Sequence, residues 1–161
     1  MTFEEIAARL RTLVPDAAFE EKNARELWVQ PTDIARLCKA LRDDPETDFQ
    51  MLTMLTGYDA LKDGVIEMTY VLFSFHQRHM IWLKTRVDRT NAVLESVVPL
   101  WNAADWFERE VWDLLGVTFT GHPDLRRILC PPEFVGHGLR KDYERPGFFV
   151  KRPDDALLAR G

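Results

Sequence analysis

The sequence has few cysteines and no long apolar run, and both absences narrow the class of protein. Its 161 residues include two cysteines, Cys38 and Cys130, in dissimilar sequence contexts. This usage predicts neither a disulfide framework nor a metal site, and it favours a reducing cytosol. The longest apolar stretches, such as residues 70–73, are far too short to span a bilayer. The first residues lack the basic and apolar regions of a signal peptide, so we expect none.

Motifs for nucleotides and redox cofactors are missing as well. The chain contains no G-x-G-x-x-G run, no P-loop and no C-x-x-C pair, so nothing predicts a nucleotide or iron–sulfur site. The formal net charge of −5 argues against general binding of nucleic acid. What the chain does have is 46% hydrophobic residues, which is enough for the core of one domain.

Charge and proline are distributed unevenly along the chain. Residues 1–121 carry 13 basic and 20 acidic residues, whereas residues 122–161 carry 8 basic and 6 acidic residues and five of the nine prolines. We therefore expect a compact α+β domain over residues 1–121 and an extended C-terminal tail over residues 122–161. Because such a tail is hard to stabilise alone, it should wrap its own domain or pack on a partner protein.

The spacing of apolar residues predicts both helices and strands. Helices are predicted at residues 3–13, at residues 31–42, at residues 91–101 and at residues 103–115. Strands are predicted in a hairpin over residues 17–30, at residues 49–58, and in a hairpin of residues 65–75 and 80–87. This order predicts an α+β fold with a mixed, mostly antiparallel sheet and helices packed on one face, followed by the extended irregular tail.

The predicted helix over residues 103–115 combines an apolar stripe with several acidic residues. Placing residues at 100° intervals puts Phe107, Val111, Leu114 and Leu115 on one stripe. Glu110 falls at the edge of that stripe, so we expect its carboxylate to be half-buried and to need a cation or backbone donors.

Other charges near this helix offer partners. Arg109 lies four residues before Asp113, so the two can pair along the helix, and Glu108 lies on the opposite flank of the stripe from Glu110. The cations available in the tail are Arg126, Arg127, Arg140 and Lys141. If the tail folds back so that these cations neutralise the acidic residues of the helix, the contacts would fix the positions of both the helix and the tail.

Two other groups of residues could carry chemistry. His76 and His79 form an H-x-x-H pattern between two strands, but no third ligand is evident, so a solvated hairpin loop is the better interpretation. Cys130 lies near His122 and His137 in the sequence, which allows a Cys–His nucleophile, yet nothing orients the base or supplies an oxyanion hole. A stand-alone cysteine/histidine enzyme is therefore the remote alternative.

Residues 108–129 resemble a family signature. The run E-R-E-x-x-D-L-L is followed by six residues and then by His122, Arg126, Ile128 and Leu129, and residues 136–143 form a second run, G-x-x-L-R-K-D-Y. Both runs are similar to the thirty-kilodalton family of complex I, whose members are designated the C subunit of a proton-translocating NADH:quinone oxidoreductase. The residues expected at the signature and its interface are Glu108, Arg109, Glu110, Asp113, His122, Arg126, Arg127, Arg140, Lys141, Asp142 and Tyr143.

The resemblance implies a structural role in a larger assembly. Members of this family are non-catalytic subunits of the hydrophilic arm that bind no cofactor, while flavin and iron–sulfur clusters are held by partner subunits. The resemblance implies that the principal partner is the large quinone-pocket subunit, designated D, with the iron–sulfur subunits designated B and I nearby. It also implies a peripheral location on the cytoplasmic side of the inner membrane. An alternative is the equivalent subunit of a membrane-bound hydrogenase, an F420H2 complex or a ferredoxin-dependent complex.

Overall fold

A five-stranded sheet with helices on one face forms the centre of the molecule. The computed structural model describes residues 1–144. The elements are α1 (Phe3–Leu13), β1 (Phe19–Asn23), β2 (Glu26–Val29), α2 (Ile34–Asp43), β3 (Met51–Ala60), β4 (Val65–Ser74), β5 (His79–Asp88), β6 (Val93–Glu95), α3 (Ala104–Leu115) and β7 (Thr118–Thr120). Short 3₁₀ turns precede α2 and follow β3.

The strand order explains why the sheet is mixed. The order is β1-β2-β5-β4-β3, and every neighbouring pair is antiparallel except β2 and β5. The parallel β2–β5 pair arises because α2, β3 and β4 lie between these strands in the chain. The predicted α+β class, with a mixed and mostly antiparallel sheet, is therefore confirmed.

Strand β4 shows how the sheet is buried. Ile66, Met68, Tyr70 and Leu72 alternate along it and are fully buried against the helices. On the neighbouring strand β5, Met80 is exposed on the opposite face. This alternation places the hydrophobic core on the helix-covered side of the sheet.

The N-terminal helix begins as the sequence predicts. The Thr2 hydroxyl accepts a hydrogen bond from the Glu5 N–H at 3.3 Å, and the Glu5 carboxylate accepts one from the Thr2 N–H at 2.8 Å. This reciprocal capping box satisfies two backbone donors at the start of α1.

The helix predicted over residues 91–101 is wrong. Residues Val93–Glu95 form strand β6, which pairs in parallel with β7 at Leu94 and Phe119. After the strand, the Val97 N–H donates to the side chain of Glu108, and the Ser96 N–H donates to the Thr120 carbonyl oxygen. Because distant groups satisfy these backbone donors, the segment forms turns instead of continuing as a helix.

Helix α3 ends where predicted and packs closely on the sheet. Gly116 has a φ of 75° and closes the helix, with its N–H donating to the Trp112 carbonyl oxygen. On β3, a Cβ at Gly57 would lie 2.5 Å from the end of the Leu115 side chain, so a larger residue there would force Leu115 to move. The close contact fixes the position of the end of α3, where the tail begins.

Candidate functional site in helix α3 and the segment that follows it

Asp113 is the centre of the candidate site. Its side chain is fully buried, and one carboxylate oxygen accepts the N–H groups of Ile128, Leu129 and Cys130 at 3.1, 2.9 and 2.8 Å. Burial opposes ionisation, but these bonds and the Arg127 guanidinium together lower the pKa of Asp113 to about 2. The ionised carboxylate therefore holds the tail through its backbone.

Arg127 supplies the countercharge for Asp113. Its Nη1 donates to Asp113 Oδ1 at 2.5 Å, and its Nη2 donates to the carbonyl oxygens of Phe134 and Gly136 at 2.7 and 3.1 Å. The guanidinium also lies 5.7 Å from the centroid of the Trp112 ring. One side chain thus connects α3 to two later turns of the tail.

Arg109 also binds the tail backbone. Its guanidinium donates to the carbonyl oxygens of Arg126 and Arg127 at 3.2 and 3.4 Å. The predicted pairing of Arg109 with Asp113 along the helix is wrong, because Asp113 pairs with Arg127 instead. We call this set of contacts between Arg109, Asp113 and residues 126–130 the first anchor.

Glu108, not Glu110, is the buried glutamate of α3. Glu108 is fully buried, whereas Glu110 is exposed, so the prediction of a half-buried Glu110 is wrong. The inner face of α3 is formed by Ala104, Glu108, Val111 and Leu115. Trp106 points outward and is 60% exposed.

The environment of Glu108 favours its neutral form. Its two oxygens accept hydrogen bonds from the Ser96 hydroxyl and the Val97 N–H, each at 2.7 Å. Within the described residues no cationic side chain lies within 4.0 Å of it. Burial therefore raises the pKa of Glu108 to about 7, with a further contribution from the charge of Asp105, against the effect of the two hydrogen bonds.

A second group of contacts holds residues 140–142. The Lys141 N–H donates to Asp59 Oδ2 at 2.7 Å, and the Asp142 carboxylate pairs with Arg89. The Arg140 guanidinium donates to the carbonyl oxygens of Leu115 and Arg89 at 2.6 and 2.7 Å. We call this set the second anchor, defined by Asp59, Arg89 and residues 140–142.

The remaining predicted site residues lie around the two anchors. The Tyr143 hydroxyl donates to the Val135 carbonyl oxygen at 3.2 Å. The ring of His122 is buried, with Nδ1 accepting the Asp124 N–H at 3.0 Å. Arg126 is largely exposed and pairs with Asp124 at 2.7 Å. All of these contacts are within the chain.

Asp59 and Arg89 were not found from the sequence. They are thirty positions apart, with Asp59 near the end of β3 and Arg89 just after β5, so no local motif contains both. The two strands do not pair with each other, and each pairs with β4. Only the register of three strands brings the two together.

The two histidine groups do not form the alternative sites. His76 Nδ1 lies 2.6 Å from Asp48 Oδ2 and is exposed, whereas His79 starts β5, is buried, and places Nε2 2.6 Å from the Thr47 carbonyl oxygen. The solvated-loop interpretation therefore holds for His76 and is wrong for His79. In residues 1–144 there is no group of three or more potential ligands placed to hold a metal ion.

The proposed Cys–His arrangement is also not assembled. His137 Nδ1 lies 3.0 Å from the Asp113 carbonyl oxygen, and among the described residues neither His137 nor His122 hydrogen-bonds to the thiol of Cys130. Burial, followed by the effect of Asp113, raises the pKa of the Cys130 thiol. A thiol held in its protonated form is a poor nucleophile.

Sequence comparisons match most of the chain to one family. A family model described as "Respiratory-chain NADH dehydrogenase, 30 Kd subunit" matches residues 27–148. The chain is 42% identical over 141 residues to the C subunit of NADH-quinone oxidoreductase from Roseiflexus sp. (strain RS-1). That match covers 85% of this chain and 81% of the relative.

Two solved structures have a similar fold. One is a chain in the structure of the membrane-bound sulfane sulfur reductase, an archaeal respiratory membrane complex, with a TM-score of 0.71 and 28% identity, covering 88% of this chain and 85% of that one. Another is a trypsin-resistant fragment of Nqo5, with a TM-score of 0.56 and 25% identity, covering 76% of this chain and 98% of the fragment. Within residues 1–144, no helix is both long and apolar enough to cross a membrane.

Proposed function

We propose that this chain, which belongs to the family of the 30 kDa subunit of the respiratory-chain NADH dehydrogenase, is a non-catalytic structural subunit in the hydrophilic arm of a proton-translocating NADH:quinone oxidoreductase. One observation carries this proposal. Arg109 and Asp113 of the first signature run hold the chain's own tail at the first anchor, and residues 140–142 of the second run are held at the second anchor, so these residues do not line an open site. Such a use is suited to presenting a surface, and residues 1–144 contain no cluster of three or more potential metal ligands.

The surface around the first anchor is suited to a protein partner. Apolar side chains border the junction of α3 and the tail, and they are unusually exposed for their size: Trp106, Leu129, Val135 and Leu139. Leu129 and Val135 are exposed, but their backbone is already fixed by Arg127 and Asp113. Binding of a partner would therefore cost little further conformational entropy. We propose that the principal partner here is the quinone-pocket subunit designated D, with the iron–sulfur subunits designated B and I nearby.

A pair of matched substitutions tests this surface. Leu129→Arg in the source organism is expected to reduce the amount of this chain that copurifies with the complex several-fold, because a charge would be desolvated in an apolar contact. Leu61→Arg is the control, since Leu61 is also an exposed leucine but lies in the turn after β3. Equal copurification of the two variants would argue against a partner on this surface.

The same purification distinguishes the type of complex. The likeness to a chain of a membrane-bound sulfane sulfur reductase supports, as a second candidate, the equivalent subunit of a related respiratory complex that is not an NADH dehydrogenase. Such complexes include, as candidates, a hydrogenase, an F420H2 complex and a ferredoxin-dependent complex. A purified complex that oxidises NADH and contains flavin would support the first candidate. A complex that contains this chain but accepts electrons only from hydrogen, F420H2 or ferredoxin would support the second.

A further inference from the structure

The second anchor is built on a buried ion pair that lies outside the signature. Asp59, at the end of β3, has a fully buried side chain, and Arg89, which follows β5, is only 14% exposed. Arg89 Nε and Nη2 donate to the two oxygens of Asp59 at 2.7 and 3.1 Å. This two-pronged geometry neutralises both charges within the domain.

The pair does more than join two strand ends. Asp59 uses a further lone pair to accept the Lys141 N–H, and Arg89 reaches beyond Asp59 to the Asp142 carboxylate. The backbone of Arg89 takes part as well, because its carbonyl oxygen accepts from the Arg140 guanidinium at 2.7 Å. Three consecutive tail residues are therefore bound by two residues of the domain.

The two anchors use different groups. The first binds residues 126–130 through Arg109 and Asp113 on α3, and the second binds residues 140–142 through Asp59 and Arg89 at the strand ends and through the Leu115 carbonyl oxygen at the end of α3. Asp59 binds the backbone N–H of Lys141, not its side chain. This contact therefore fixes the path of the backbone and does not depend on which side chain residue 141 carries. Release of one anchor should therefore leave the other in place.

We propose that Asp59 is a positioning residue that, with Arg89, fixes residues 140–142 independently of the first anchor and so holds them in the position that the partner subunit binds. The fixing of residues 140–142 concerns the chain alone, whereas the role in binding a partner subunit rests on the proposed function. Separate measurements test the two.

Hydrogen exchange of the full chain tests the anchor. Asp59→Asn keeps the shape of the side chain but removes the charge, so the Lys141 amide is expected to exchange about 10-fold faster or more. The amides of Ile128–Cys130 and of strand β4 should keep their wild-type rates. Glu67→Gln is the matched control, because it breaks the Glu67–Arg86 ion pair on the sheet without contacting the tail.

Two outcomes would overturn the anchor. One is an unchanged rate at Lys141 in Asp59→Asn. The other is an equal loss of protection at Lys141, Ile128–Cys130 and β4, which would make Asp59 an ordinary core residue. If Asp59→Asn does not fold, Asp142→Asn replaces it. The Asp142 side chain is 53% exposed and pairs with the Arg89 guanidinium, so its substitution weakens the anchor without removing a buried charge. That variant must also speed exchange at Lys141, or the proposal fails.

Assembly in the source organism tests the positioning role. Asp59→Asn is expected to lower the amount of chain incorporated into the complex several-fold relative to Glu67→Gln. Normal incorporation of a variant whose Lys141 amide is released would overturn the positioning role. If the wild-type chain itself enters no NADH-oxidising complex, the proposed function fails, while the exchange measurement still decides the anchor.

Discussion

At the scale of single residues, Glu108 is the buried group most sensitive to pH. It is enclosed beside Ser96 and Val97, and its carboxylate has hydrogen-bond donors but no cation among the described residues. Its charge also raises the pKa of two other fully buried groups, the Cys38 thiol and the Tyr70 hydroxyl, although burial is the larger cause for each. The neutral acid is therefore the form that the folded chain prefers.

The raised pKa gives a prediction about stability. Because the pKa of Glu108 is about 7 in the folded chain and its ordinary value is 4.5, the folded chain retains a proton that the unfolded chain loses between these values. This contribution to stability is complete below pH 4.5 and is lost as the pH rises through 7, at a cost of about 3 kcal/mol. Glu108→Gln removes the titration and can keep both hydrogen bonds, since the Ser96 hydroxyl can also accept.

Urea unfolding at two pH values checks this prediction. The Glu108→Gln variant should be more stable than the wild type at pH 8 and nearly equal to it at pH 5. Glu110→Gln, on the exposed side of the same helix, is the control, and its difference from the wild type should be about 0–1 kcal/mol at both pH values. A loss of stability in Glu108→Gln that is the same at pH 5 and pH 8 would show that the ionised carboxylate is needed.

The sequence could place a buried acid on α3 but not identify it. The predicted stripe of Phe107, Val111, Leu114 and Leu115 puts Glu110 at its edge. In the folded chain the small residue Ala104 faces inward with Glu108. Trp106 faces outward, and the centroid of its ring lies 5.2 Å from the Arg109 guanidinium carbon. Residue size alone cannot determine orientation, because an aromatic side chain paired with a cation is stable at the surface.

At the scale of elements, sequence patterns correctly predicted the helices and strands that are stabilised by residues near one another in the chain. Helix α1 with its capping box, α3 with Gly116 at its end, and the β4–β5 hairpin are all formed by neighbours in the sequence. Strand β6 was missed because its partner β7 is more than twenty residues away and the pairing is parallel. The second anchor was missed for the same reason, since Asp59 meets Lys141 only through the tertiary fold.

Gly116 connects the end of α3 to the tail, and a substitution there tests that connection. Its φ of 75° disfavours alanine, and a Cβ would also lie 2.6 Å from the ring of His137. Gly64 is the matched control, because its φ of 68° is similar but a Cβ there would meet nothing within 4 Å. Gly64→Ala is therefore expected to cost about 1 kcal/mol from backbone strain alone.

The difference in stability between the Gly116→Ala and Gly64→Ala variants isolates the effect of the contact with His137. Gly116→Ala should be less stable than Gly64→Ala in urea unfolding, and it should also speed tryptic cleavage after Arg126, Arg127 and Arg140. Gly64→Ala should leave those cleavage rates unchanged. Equal stability and equal cleavage in the two variants would mean that His137 moves aside without disturbing the tail.

At the scale of the whole molecule, the chain combines a core with an anchored tail, and the part that the structure describes contains no cluster of potential metal ligands. Asp113 is satisfied mainly by the tail, whereas Asp59 is satisfied by Arg89 of the domain together with the Lys141 N–H. In the proposed role, a subunit of this design contributes geometry to an assembly. Its loss should therefore affect the steps that depend on assembly and spare the steps carried out by other subunits.

Removal of the chain gives the last prediction. In the source organism, a deletion is expected to abolish NADH:quinone reductase activity in membranes, while oxidation of NADH by an artificial acceptor, carried by the flavin-binding partner in the proposed assembly, persists. Asp113→Asn should act in the same direction, because a neutral amide cannot balance Arg127 or hold three backbone N–H groups as strongly. Glu110→Gln, which alters only an exposed charge on the same helix, is the control and should retain both activities. Metal and flavin analysis of the purified wild-type chain completes the test, since about one equivalent of iron, zinc or flavin per chain, or a quinone reductase activity that survives the deletion, would contradict a purely structural role.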